Sequence, residues 1–195
     1  MNLYLRLAWA VTHALLAERI DHREAVHRGF RVWPHDLDVF GHMNNGRYLQ
    51  IMDVARADWM GRAGVLSSMW RHRWSAVLGG GVIRFRRSLG PFQQYRVRTR
   101  LLGWDERWWF LEHCFLDPLD QRVATGVSRA ALRAGGRWIA SEQVVAAVSP
   151  GAHPLPVPEW VHDWLGVEEA MWAHGEHVDP SKTAPAAALE LTVER

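Results

Sequence analysis

An α+β fold class follows from three features of the sequence: one long segment with helical apolar spacing, alternating segments on both sides of it, and turn residues at hairpin distances between the later ones. The helical segment opens at Asn44 and Asn45, both good N-cap residues, and sets Tyr48, Ile51, Met52, Ala55, Trp59 and Met60 at helical spacing as far as Ala63. Gly61 and Gly64 bracket its end. Before it, Arg28 to His35 alternates, with Phe30 and Val32 opposed to Arg31 and Trp33, and Pro34 should end that strand. After it, Val82–Arg87 and Tyr95–Leu102 alternate, and further strands are expected over 107–116 and 122–133. Gly90-Pro91, residues 103–106, residues 117–120 and Gly135-Gly136 supply the turns. Apolar positions on a broad helix face need a wrapping partner, so the expected architecture is a curved antiparallel sheet around one long central helix. Extra helices are expected at both ends of the chain.

At the N-terminal end, Leu3 to Ala17 is an apolar run broken by Arg6 and His13. A bilayer span needs about 20 apolar residues, so this run reads as an amphipathic helix, packed on the domain or touching a membrane surface through residues 1–20. It lacks the basic start and small-residue cleavage site of a secretory signal. At the other end, Pro150, Pro154, Pro156 and Pro158 make a stiff connector, Glu159 to Ala173 could form a short helix, and disorder is expected from about Gly175. The organisation expected is thus an N-terminal helix over 1–27, a domain over 28–149, and a connector, helix and acidic tail over 150–195.

The 195 residues are enough for one domain with a substantial core. Apolar residues at 48% and charged residues at 23% exclude global disorder and a polytopic membrane protein. Cys114 is the single cysteine, which excludes an intrachain disulfide and makes a reducing, cytoplasmic setting the expectation. Residues 1–140 carry 21 arginines against 12 acidic residues, whereas residues 141–195 carry two basic residues against nine acidic ones. A positive body suits an anionic ligand, and arginine in particular suits phosphate.

The densest chemistry lies in Asp36-Leu-Asp38-Val-Phe-Gly41-His42-Met-Asn44-Asn45-Gly-Arg-Tyr48, between a strand end and a helix start. Free N–H groups at a helix N-terminus favour negative charge developing on an oxygen. A carboxylate a few residues upstream can activate water or attack directly. A capped helix behind a decorated loop would use the same residues.

This Asp-x-x-Gly-His-x-Asn-Asn-x-x-Tyr pattern resembles the hotdog-fold acyl-CoA thioesterases of the 4-hydroxybenzoyl-CoA thioesterase type. DLDVFGHMNNGRYLQIMD, with IRFRRSLGPF and LLGWDERWWFLEH downstream, is similar to the thioesterase-superfamily-member-six-like branch, over about residues 28–133. The resemblance implies that Asp38 is the catalytic carboxylate, as base or nucleophile toward the thioester carbonyl. It implies that the Asn45 backbone N–H is the oxyanion donor, Gly41 lets the loop turn, Asn44 and Asn45 side chains cap the helix, and His42 orients the loop or touches substrate. Tyr48 is expected at the substrate, and Asp36 outside the site as a turn or edge acid. Coenzyme A arrives as part of the substrate and no separate cofactor is implied. A homodimer or homotetramer is implied, with each site at a subunit interface. A non-catalytic acyl-CoA or fatty-acid binding protein on the same fold is the competing expectation.

Arg84, Arg86 and Arg87, beside Gly79-Gly-Gly81, could meet the coenzyme phosphates or serve only as a soluble surface. The glycine triplet could allow close ligand approach or mark a strand bulge. Twelve tryptophans are abundant for this length; Trp33, Phe40, Tyr48 and Trp59 could line an acyl pocket, though most such residues are core. Many members of the resembled family carry Glu on the central helix where this chain has Asp53, which with Arg56 at i,i+3 could also be no more than a structural pair. Trp70-Arg-His-Arg-Trp74 is a weak basic–aromatic patch, and nucleic acid is not expected as a partner. The histidines are scattered without ligand spacing, so no metal is predicted. The aspartate spacings to His42 disfavour enoyl-CoA hydration.

Overall fold

A computed structural model describes residues 3–176. The tail expected to be disordered lies, from residue 177 on, outside the described residues. The chain divides into one unit through Val157 and a second that begins at Pro158 and holds helix α5 (Glu159–Glu176).

The first unit opens with α1 (Leu3–Leu16), then β1 (Val26–Arg31) and a single 3-10 turn at Pro34–Asp36. The long helix α2 (Asn45–Arg62) follows, then α3 (Val65–His72), β2 (Ser75–Phe85), β3 (Gln94–Trp104), β4 (Trp109–Leu116), β5 (Arg122–Ala134), β6 (Arg137–Ile139) and α4 (Ser141–Val148). All pairings are antiparallel, in the order β1-β3-β4-β5-β2, with β6 folded back on the end of β5. The sheet curls around α2 in the hotdog arrangement.

Helix α2 is held from both ends of the sheet's inner face. Toward its start, Tyr48, Ile51, Met52 and Ala55 pack with Val97, Phe115, Val123 and Ala124. Toward its end, Trp59 and Ala63 pack with Leu101, Trp109, Leu111 and Leu132. Full burial of a side chain such as Ile51 or Trp59 contributes about 2–3 kcal/mol each. The Trp59 indole N–H also donates to the Glu24 carbonyl at 3.1 Å, so its polar edge is satisfied.

Between these two apolar halves runs a polar row across three strands. His113 of β4 is fully buried, with Nδ1 3.1 Å from Thr99 Oγ1 of β3 and Nε2 3.1 Å from Ser128 Oγ of β5. Burial lowers its pKa from 6.5 to about 3, with Arg56 pushing the same way, so the ring is neutral.

Helix α1 belongs to this unit. Arg6, Ala10 and Ala14 recur every four residues on its buried face. Ala14 sits so close to α2 that a Cβ on Gly61 would lie 2.5 Å from its own Cβ. Tyr4, Leu5, Trp9, Leu15 and Leu16 face outward. No helix among the described residues is long and apolar enough to cross a membrane.

Several elements differ from expectation for identifiable reasons. The strand expected over 82–87 begins instead at Ser75, because only its end, at Ile83 and Phe85, packs on the core, and the glycines at 79–81 interrupt any alternation before it. Its glycine triplet is a bulge: the register slips between Leu78 and Gly80, and a Cβ on Gly79 would meet the Trp108 ring at 2.3 Å. Helices α3 and α4 are only eight residues each, too short for a clear period to mark them in the sequence. The first strand ends at Arg31 rather than near His35, since Pro34 starts a 3-10 turn.

Candidate functional site

The segment between β1 and α2 is closed at its base by backbone pairing. The Asn44 N–H donates to the Asp36 carbonyl at 2.8 Å, Leu37 and Met43 form an antiparallel bridge, and the Asp38 N–H donates to the His42 carbonyl at 2.8 Å. The Met43 N–H ties the loop to the Leu89 carbonyl at 2.9 Å. Gly41, with φ +77°, makes the reversal, and its N–H donates to the Asp38 carbonyl at 3.1 Å. These rungs hold Asp38 within two residue pairs of the α2 N-terminus.

The Asp38 side chain is half-buried. Its Oδ1 accepts the Phe40 N–H at 2.9 Å and the His42 N–H at 3.4 Å, while Oδ2 has no hydrogen bond within the described residues. One oxygen is therefore held by the loop backbone, and the other has no protein partner among the described residues. His42 holds the loop through its backbone, and its side chain is exposed.

At the start of α2, Asn44 is the N-cap: its side-chain oxygen accepts the Gly46 N–H at 2.9 Å. The Asn44 carbonyl accepts the Arg47 N–H at 2.9 Å. The Asn45 N–H, the first of the helix, has no acceptor among the described residues. Asn45 is the first helical residue and its side chain does not cap, which corrects the expectation that both asparagines would.

Asp36 is the turn acid of the two alternatives, the last residue of the 3-10 turn, but a buried one. It is 1% exposed; its Oδ2 accepts from Arg6 Nη2 at 2.6 Å and the Trp33 N–H at 2.9 Å, and its Oδ1 is ion-paired with Arg47 Nε 3.0 Å away. Arg47 also donates to the His35 carbonyl at 3.0 Å. This clamp fixes the 3-10 turn against the first turn of α2 and against α1, directly behind the loop that carries Asp38. Nothing local marks it, because Arg6 lies 30 positions away.

Tyr48 is likewise corrected from a substrate contact to a core residue. It is 2% exposed, wedged against Phe85 and Phe115 with ring centroids 5.1 and 5.0 Å away, and burial pushes its phenol up to about 12. This wedge brings the end of β2 beside the first turn of α2. Arg84 and Arg86 flank Phe85 there, both exposed; Arg87 is occupied by Gln121 and Asp117. Trp59 is core, whereas Trp33 is partly exposed and Phe40 projects into solvent. Asp53 and Arg56 form a surface pair, and Cys114 is buried. Among the described residues no cluster has the makings of a metal site.

Residues 32–165 match the sequence profile of the Thioesterase-like superfamily. Protein THEM6 of Xenopus laevis is 42% identical over 93 residues, covering 48% of this chain and 45% of the relative. Protein THEM6 of Danio rerio is 37% identical over 106 residues, covering 54% and 49%. The chain thus spans about half the length of the curated relatives it matches. Among solved structures, the YbaW probable thioesterase from Escherichia coli superposes with a TM-score of 0.59 at 21% identity, over 64% of this chain and 96% of that one, and shares the fold.

Proposed function

We propose that this chain, which belongs to the thioesterase-like superfamily, hydrolyses acyl-CoA thioesters at the loop between β1 and α2. Asp38 supplies the carboxylate and the Asn45 N–H receives the oxyanion. The observation that carries this reading is the pairing of a carboxylate anchored through Oδ1 with a helix N-terminus at which Gly46 and Arg47 are satisfied by Asn44 while the Asn45 N–H is not. Asp38 acts as base toward water or attacks the carbonyl itself; in either case the thioester C–S bond breaks, water is consumed, and a free acid and a thiol result. The α2 dipole and the Asn45 N–H stabilise the negative oxygen of the tetrahedral intermediate. Arg84 and Arg86, on either side of Phe85, serve the phosphates of the coenzyme.

The site is completed by a second copy of the chain. Val39 and Phe40, next to Asp38, are 94% and 81% exposed, and the unpaired edge of β2 presents Leu78, Val82 and Phe85. An open edge and bare apolar side chains beside the site favour a homodimer that covers both.

The test is a panel of aliphatic and aromatic acyl-CoAs incubated with purified protein, with free thiol followed by a colorimetric reagent. Turnover supports the reading. Saturable acyl-CoA binding without thiol release contradicts it and favours a binding protein on the same scaffold.

A further inference from the structure

Away from Asp38, a cleft of about 930 Å³ opens between α1 and the paired strands β1 and β3. Neither Asp38 nor Asn45 lines it. Its walls are apolar and aromatic: Leu5 and Trp9 from α1, Phe30 from β1, and Trp33 just beyond β1. Two polar side chains, Arg6 and Tyr95, also line it, each 3% exposed.

Both of those side chains keep a donor in reserve. Arg6 gives Nη2 to Asp36, but Nη1 is buried with no hydrogen-bond partner, and the same holds for the Tyr95 hydroxyl. Burial holds the Tyr95 phenol far above its ordinary range, so it is an O–H donor at any working pH. A buried donor without an acceptor is costly, which makes the site receptive to a ligand acceptor.

The charges select the ligand. Arg6 and Arg47 share the single carboxylate of Asp36, leaving one net positive charge at the buried end. At the mouth, Arg96 is already paired with Asp120, and Asp117 lies 3.9 Å from Arg87. At the buried end, one net positive charge and two unpaired donors match the two oxygens of a monoanionic carboxylate, while Arg31 lines the cleft at its exposed side. A phosphate has three terminal oxygens to satisfy, one more than these two buried donors serve.

We infer that this cleft is a binding site for a free carboxylic acid with an apolar body, its carboxylate on Arg6 Nη1 and Tyr95 Oη and its hydrocarbon along Leu5, Trp9, Phe30 and Trp33. The inference stands apart from the hydrolytic reading, because it uses none of the groups proposed for hydrolysis.

The test is calorimetric titration of the full chain with decanoate, with decanol and decyl phosphate in parallel. Decanoate should saturate one site per chain and bind at least about tenfold tighter than either analogue. Tyr95→Phe keeps the ring that stacks on Phe30 at 5.5 Å, and Arg6→Lys keeps a cation for Asp36; each should weaken decanoate binding about tenfold while the thermal midpoint shows the fold retained. Asp38→Asn should leave decanoate binding unchanged. Equal affinity for decanoate and decanol, tighter binding of decyl phosphate, or loss of binding in Asp38→Asn but not in Tyr95→Phe would each overturn the assignment.

Discussion

Arg6 Nη2 lies 2.6 Å from the Asp36 carboxylate, with both side chains shut away from water, so the N-terminal helix is bolted to the turn that leads into the Asp38 loop. A buried pair of this kind contributes little over an apolar replacement, yet removing one partner strands the other charge. Asp36→Asn leaves Arg6 and Arg47 without their shared anion. It should lower stability by about 3–5 kcal/mol, read as a shift in the urea unfolding midpoint. A shift under about 1 kcal/mol would mean that the clamp is not the anchor of α1.

The contact of α1 with α2 rests on a missing side chain. Gly61→Ala places a methyl group 2.5 Å from Ala14 Cβ, so the helices must separate or bend. A loss of about 1–3 kcal/mol is expected from overpacking, against the gain that alanine ordinarily brings to a helix interior. A stabilised Gly61→Ala protein would contradict the packing of α1 described above.

His113 makes stability depend on pH. Its folded pKa, about 3, lies below the 6.5 of an unconstrained imidazole, so unfolding takes up a proton throughout the interval between them. Its contribution is fully present above about 6.5 and is lost as pH falls through that window, with a slope of about 1.4 kcal/mol per pH unit once the unfolded ring is protonated. Urea titrations at pH 7 and pH 5 on the native chain and on His113→Gln should show the steeper acid loss in the native chain alone. Parallel slopes would show that the ring titrates in place.

Covering of the β2 edge has its own consequence. Lysine at both Leu78 and Val82 puts charge where a second copy would sit, and should convert the particle to a monomer by light scattering while lowering turnover at least about tenfold. A monomeric variant with undiminished turnover would place the whole site within one chain.

What was legible in the sequence followed physical locality. The α2 boundaries were readable because Asn44 is a local cap and Tyr48 through Trp59 keep a helical period long enough to register. Strands β3 and β5 were readable because one face of each is packed and the turns beside them carry glycine or aspartate. The first half of β2 is hard to read because its residues are largely exposed and its bulged glycines imitate a loop. The loop of Asp38 could be read from its motif, but the clamp behind it joins Arg6, Asp36 and Arg47 across three elements, and no short window contains that. The row from Thr99 through His113 to Ser128 was hidden for the same reason: it runs across the strands, not along them.

In the proposed reaction the Asp38 carboxylate takes part in breaking the thioester. Asp38→Asn keeps an acceptor oxygen for the Phe40 and His42 N–H groups while removing the charge, so loop and fold should persist with an unchanged melting midpoint. Measured on the best acyl-CoA of the panel, kcat should fall by at least ~100-fold. A kcat within about twofold of the native chain, in a variant that melts normally, would contradict the claim.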